Sequence, residues 1–448
     1  MERNAYETAA LLSSTIKVVT TTVRELRSKG RHAKPPVAKF GDGGRHVNFL
    51  VAIAFLLPLM PSPALVPVFA PLLLLICAGL LLFGTQIGAK SSVVAYRTAP
   101  AKQLLALVLA LVLGSIVADP SEVGLLRLLA RVLFVAFVFA FATNLLRLDH
   151  THRDRVMRAF IYGTVGVCII AIATSVTGIA IAGELRPSRG IGLLPGGAKS
   201  AGVIRSYGEA AVIYSGGLAL LYHQRHRFRL STAMGIFAIL ILGISVSHSR
   251  NVYATAAFTV ALIGAHFLVG RRSLLTWRTM LRGGLLIALL TPFLVGLVTE
   301  AASTNSIAAY FTGEGTLEAN ISSRSNHVRT AFDLIVNDPA VLATGATETE
   351  WHRALGNNVA PHNQFVSLLL FSTPLVGAIA IAILYFGPVW RGAREFSFKD
   401  GPIAIWGAGV IYALSGYEGL FSPSLALCVA LMMAVGFDVR KSSPALTQ

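Results

Sequence analysis

Apolar residues in this chain gather in long uninterrupted runs instead of alternating with polar ones, and many of the runs approach the thickness of a bilayer. With Pro, Gly and charge breaks as boundaries, the pattern predicts twelve spans. They fall at about 47–60, 65–83, 102–118, 123–146, 157–182, 207–222, 230–247, 251–269, 281–299, 362–386, 403–415 and 420–437. Pro61-Ser62-Pro63 divides the first two into a hairpin, because proline cannot continue a helix. The expectation is an all-α polytopic membrane protein. A basic N-terminal segment (1–46) is followed by nine spans (47–299), a large outward loop with helical elements (300–361), three more spans (362–437) and a tail (438–448).

The polar segments orient this pattern. Placing both termini inside puts 28 of the 38 Lys and Arg residues on the inner side and ten outside, with alternate loops agreeing throughout. The inner basic loops are 90–102, 147–158, 225–229, 271–282 and 391–399. The formal charge of +17 is therefore mostly topology, and no nucleic-acid partner is expected. In the N-terminal segment, Leu12, Ile16, Val19, Val23 and Leu26 recur at helical spacing, which fits either an interfacial amphipathic helix or a solvated basic tail. No cleavable signal is expected, since the first long apolar run begins near Val47. Cys77, Cys168 and Cys428 lie inside apolar runs without paired spacing, so neither disulfides nor a metal site is expected. No cofactor pattern appears, and His150, His152, His223 and His226 read as contacts for anionic lipid headgroups ahead of metal binding by a pair such as His223 and His226.

Within the 300–361 loop, Val328, Ala331, Phe332 and Ile335 mark one apolar helix face. Ser322 or Ser323 is the expected N-cap and Asn337-Asp338-Pro339 the stop.

Candidate chemistry lies on the outward side, where basic residues depart from the rule that keeps them inside. Arg binds a diphosphate well, because its planar fork donates two parallel hydrogen bonds and its charge does not titrate away. Arg127 and Arg131, four residues apart near the outer end of the fourth span, read either as headgroup contacts or as substrate contacts. Arg250, in Ser247-His248-Ser249-Arg250-Asn251, occupies a tight turn between two apolar helices. Arg186, Arg189 and Arg205 flank the Gly-rich stretch 190–197, with Arg205 directly before a span. His362, in Pro361-His362-Asn363-Gln364, opens the predicted tenth span. A helix N-terminus there favours neutral imidazole, the state a general base needs, and Asn363 can orient it; a simple capping role is the alternative.

These pieces resemble the O-antigen ligase and O-antigen polymerase superfamily of bacterial membrane glycosyltransferases. The likeness is carried by Ser249-Arg250 after the seventh span, by Arg324 heading an amphipathic helix that ends in Asp338-Pro339, and by His362-Asn363 with the apolar run to Gly377. Two departures stand out: Gly345-Ala346-Thr347 where a Gly-rich turn is expected, and Phe371-Ser372-Thr373-Pro374 in place of the family's Glu and Gly positions. The resemblance implies an inner-membrane enzyme that works metal-independently, with inversion, on an undecaprenyl-diphosphate-linked glycan. Arg205, Arg250 and Arg324 would hold the diphosphate, and His362 would deprotonate the hydroxyl of a glycan or lipid acceptor. Arg127, Arg131, Arg189 and Asn363 would support them, and other polysaccharide-assembly proteins are possible partners. A polymerase of exopolysaccharide or O-antigen repeat units is favoured over a ligase acting on lipid A core, because the outward segments carry a net charge near −2. A transporter would require charges near mid-span, which are nearly absent, and a non-catalytic scaffold would be indifferent to loss of His362 or Arg250.

Overall fold

The computed structural model describes residues 43–60, 76, 117, 122–179, 202–203, 207–247, 249–269, 316–356, 361, 363–387, 401–415 and 422–437. The chain divides into a first unit, Met1–Gly43, and a second, Gly44–Gln448. The expected interfacial helix, the spans predicted at 65–83, 102–118 and 281–299, and the Gly-rich stretch 190–197 all lie outside the described residues, apart from one residue each in the second and third spans.

Among the described residues the structure is all-helical. The helices are α1 (Gly43–Leu56, extended by a 3-10 turn Leu57–Leu59), α2 (Glu122–Arg147), α3 (His150–Thr177), α4 (Tyr207–His223), α5 (Leu230–Val246) and α6 (Arg250–Val269). There follow α7 (Thr316–Asn337), α8 (Pro339–Thr344), α9 (Glu348–Leu355), α10 (Gln364–Leu370), α11 (Pro374–Ile381, continuing as a π turn Ala382–Phe386), α12 (Gly401–Leu414) and α13 (Pro423–Phe437).

α4 is the centre of the bundle. It is apolar nearly all round, so it is stable only when covered on every side, and α3, α5, α6, α12 and α13 all pack against it. Three buried hydroxyls on the flanking helices return their hydrogens to their own backbone: Thr164 to Phe160 O, Ser245 to Ile241 O and Thr259 to Thr255 O, at 2.8–3.0 Å. Such groups need neither water nor a partner helix, which is the condition an apolar solvent imposes. Outward surfaces are apolar as well. Tyr162, Ile169 and Val176 recur every seven residues on α3, and Leu230, Met234 and Phe237 line one side of α5. Among the described residues one stretch, Thr151–Thr177 of α3, is by itself long and apolar enough to cross a membrane, and the shorter apolar helices run 10–17 residues.

The ends of the bundle are chemically distinct. At one end Asp154 of α3 accepts from Gln224 (2.9 Å) and pairs with Arg227 (2.8 Å), tying the α2–α3 turn to the α4–α5 turn. Tyr222 and His266 meet at 3.1 Å, so α4 and α6 finish side by side and run parallel. At their opposite end Asn251 donates to Ala413 O (3.4 Å), making α12 antiparallel to α6, and Ser424 donates to Leu57 O (3.3 Å).

Two expectations need correction. The loop predicted over 147–158 is reduced to Leu148 and Asp149, because α3 starts at His150. Its charged first turns are stabilised locally. Asp149 caps the helix by accepting from His152 N (2.8 Å), which holds its carboxyl below the usual range. Arg153 donates to Leu145 O (3.0 Å) and Leu146 O (2.8 Å), satisfying the C-terminal carbonyls of α2.

The larger correction concerns the tenth span. Residues 362–386 do not form one helix: the Phe365 ring lies 5.6 Å from Tyr385 and 6.2 Å from Phe386. In a continuous helix, at 1.5 Å per residue, those rings would be about 30 Å apart. α10 instead folds back along α11 as a tight helical hairpin, and Gly377 permits the approach, since a Cβ there would collide with the Leu368 carbonyl and lie 2.9 Å from the Leu369 Cα.

Candidate functional site

The hairpin tip is built from local chemistry. The Ser372 hydroxyl donates to Leu368 O, and Thr373 precedes Pro374, which suits the first helical position of α11. The tip is then sealed from outside by the turn after α8. Gly345 sits at φ 87°, ψ 177°, backbone that essentially only glycine adopts, and a Cβ on it would stand 2.5 Å from Ser372 O. This conformation lets Ala346 N donate to Leu370 O at 2.7 Å. The two places where the sequence departs from the resembled family therefore meet each other.

Around that contact the 316–355 helices form a small cap. Trp351 is wholly buried among Ala331, Val341 and Ala346 of the cap and Val366, Leu370 and Phe371 of the hairpin. His327 meets the Trp351 ring edge-on at 5.6 Å, and burial lowers its pKa below that of free histidine. Thr347 and Glu350 make a reciprocal capping box that starts α9, and Asp338 caps α8 through Ala340 N (2.9 Å). The stop predicted at Asn337-Asp338-Pro339 is where α7 ends.

The start predicted at Ser322 or Ser323 is wrong: α7 begins at Thr316, because Leu317, Glu318 and Ala319 are good helix formers and propagate it upstream of the serines. Arg324 accordingly lies in the third turn of α7 and does not head it. Phe332, expected on the inward face, is exposed; Val328, Ala331 and Ile335 point inward with Leu334.

His362, Arg205 and Arg189 lie outside the described residues. The next described helix starts at Gln364. Asn363 is the N-cap, its Oδ1 accepting from Phe365 N (2.8 Å) and Val366 N (3.3 Å), which uses the first free amides of a helix only seven residues long. Asn363 thus has a structural role independent of His362.

Arg250 is the first residue of α6, after a connection of three residues. That turn is held by Ser247 Oγ to Ile244 O (2.6 Å), Tyr253 OH to Ser245 O (2.6 Å) and Tyr253 N to Ser249 O (3.0 Å), with Ser249 buried. Arg127 and Arg131 lie one turn apart on α2, which packs along α13. The structure directly joins two of the proposed elements: α7, carrying Arg324, packs on α10, the helix introduced by Pro361-His362-Asn363. Among the described residues no cluster of three or more His, Cys, Asp or Glu side chains could hold a metal.

Sequence reasoning missed Arg153 as a cap for α2, Trp351 as the centre of the 316–355 cap, and Glu209, buried in the first turn of α4. Only the second left a readable signal, the Thr-x-x-Glu capping box before Trp351. Neither a protein-family model nor any curated protein matches this chain.

Proposed function

We propose that the chain is a membrane glycosyltransferase that polymerises undecaprenyl-diphosphate-linked repeat units on the outer face of a bacterial inner membrane. The observation that carries the reading is the packing of α7 on α10, which sets the helix bearing Arg324 beside the helix introduced by His362-Asn363. The apolar outward stripes, the internally satisfied hydroxyls and the basic α2–α3 and α4–α5 turns at one end support a membrane bundle with those turns inside. In this reading twelve crossings keep both termini cytoplasmic, and α11 with its π turn makes the tenth while α10 folds beside it.

The acceptor hydroxyl oxygen attacks the anomeric carbon of the donor sugar and the bond to the diphosphate oxygen breaks, inverting that carbon. The hydroxyl proton passes to His362, and the undecaprenyl diphosphate leaves with its new charge held by Arg205, Arg250 and Arg324. Asn363 Oδ1 is committed to capping, so its amide NH2 is the group available to orient the imidazole. A ligase acting on lipid A core fits less well, because a heavily phosphorylated acceptor is poorly matched to outward segments with a net charge near −2.

The test uses purified protein with its His362→Ala and Arg250→Ala variants, each supplied with undecaprenyl-diphosphate repeat units and read by product mass. Chains lengthened by the wild type and by neither variant are expected. Equal turnover by His362→Ala removes the assigned base, and transfer only after addition of lipid A core makes the protein a ligase.

A further inference from the structure

The cap carries an apolar surface that the proposed reaction does not use. Phe332 and Val336 stand one turn apart on α7, exposed to 59% and 71%, and Leu342 on α8 is 55% exposed. Arg329, one turn earlier on the same side of α7, is also exposed and pairs with Asp333 at 3.8 Å. α8 packs against α11, whose first turn exposes Leu375 to 71% and whose outward stripe continues through Ile379 to Phe386. The apolar edge of the cap and the apolar exterior of the hairpin are therefore neighbours through the α8–α11 contact. Three large apolar side chains held outward beside that stripe, with a cation at their border, form the pattern of an element lying in a membrane interface.

We propose that this edge of the cap rests in the outer leaflet of the bilayer, with Phe332, Val336 and Leu342 among the upper acyl chains and Arg329 at the phosphate level. The assignment rests on the membrane reading given above, and deepens it by fixing where the outer cap sits. The occupant is lipid and not a second copy of the chain, because the patch prolongs the surface that α11 already presents to lipid. Its cation lies at the border of the apolar area, where a snorkelling Arg reaches headgroup phosphates. Seated this way, the cap is held at the depth where a lipid-linked diphosphate lies.

Nitroxide labels at Phe332→Cys and Val336→Cys test this in nanodiscs, in full-length protein whose Cys77, Cys168 and Cys428 are replaced by alanine and whose helical circular dichroism is retained. Leu242→Cys on α5 serves as the lipid-facing control and Thr349→Cys on α9, exposed and polar, as the aqueous one. Labels at 332 and 336 are expected to collide more with oxygen than with a water-soluble nickel chelate, as the 242 label does, and opposite to the 349 label. Labels at 332 and 336 that behave like 349, or that are shielded from both agents, overturn the proposal and leave the membrane reading standing. A 242 label that favours the chelate overturns the membrane reading and this inference with it.

Discussion

Replacing Gly345 with alanine probes the contact that joins cap and hairpin. The backbone there, φ 87° and ψ 177°, costs a residue with a Cβ about 1–3 kcal/mol. The added atom would also press on the Ser372 carbonyl and lie 2.9 Å from Leu370 O, and the carbonyl of Ser372 is backbone that cannot swing aside. Moving the turn breaks the Ala346 N to Leu370 O bond, leaving a buried donor and acceptor unpaired for about 1–3 kcal/mol more. Together these give about 2–6 kcal/mol, against about 1 kcal/mol for Gly356→Ala, where φ is 75° but nothing lies within 4 Å. Hydrogen exchange read by mass spectrometry on a peptide spanning 341–350 separates the two. The Ala346 amide should exchange at least about 30-fold faster in Gly345→Ala, at ~1.4 kcal/mol per tenfold, and change much less in Gly356→Ala. Equal protection in both variants would refute the claim that this turn locks the cap to the hairpin.

Asn363→Ala should loosen the start of α10 by about 1 kcal/mol and lower turnover, whereas Asn363→Asp should restore helix protection without restoring full turnover. Exchange at 364–368, compared with the rate of chain extension, checks both halves. His327 supplies a pH dependence: burial lowers its folded pKa below that of free histidine, so the unfolded cap takes up its proton first. Its contribution is complete above that value and is lost as pH falls through the window beneath it. Protection of α7 and α9, corrected for the intrinsic exchange rate at each pH, should therefore fall as pH drops below neutral, and His327→Gln should flatten that fall.

Where the hydrophobic pattern alone decides, the sequence is a good guide: α2, α4, α5, α6 and α13 lie within about three residues of the predicted spans, as end fraying allows. It misleads where polar groups are satisfied by partners it does not reveal. The charges at the start of α3 look like a loop, and only the Arg153 bonds to Leu145 and Leu146 show why a helix can begin there. The 362–386 run is long enough for one span, and nothing in its hydropathy announces that Phe365 returns to Tyr385. The Ser372 bond to Leu368 O is local, but the ring contact of Phe365 with Tyr385 and the close approach at Gly377 are tertiary facts. Asn363 was legible as a polar residue at a helix start, but not as the residue that spends its oxygen on the cap.

The position of α4 bears on how the protein is made. Its covering helices α12 and α13 begin only at residues 401 and 423, long after α4 itself has left the ribosome. Until they arrive, Gly216 has Phe160 of α3 beside it but lacks Trp406, and Ser215 lacks Gly409, which packs against both Ser215 of α4 and Thr259 of α6. That face of α4 therefore stays unfilled while residues 224–400 are made, with only α3, α5 and α6 in place around it. The last two helices act as the closing step of assembly, and a chain interrupted before them would lose its centre as well as its end.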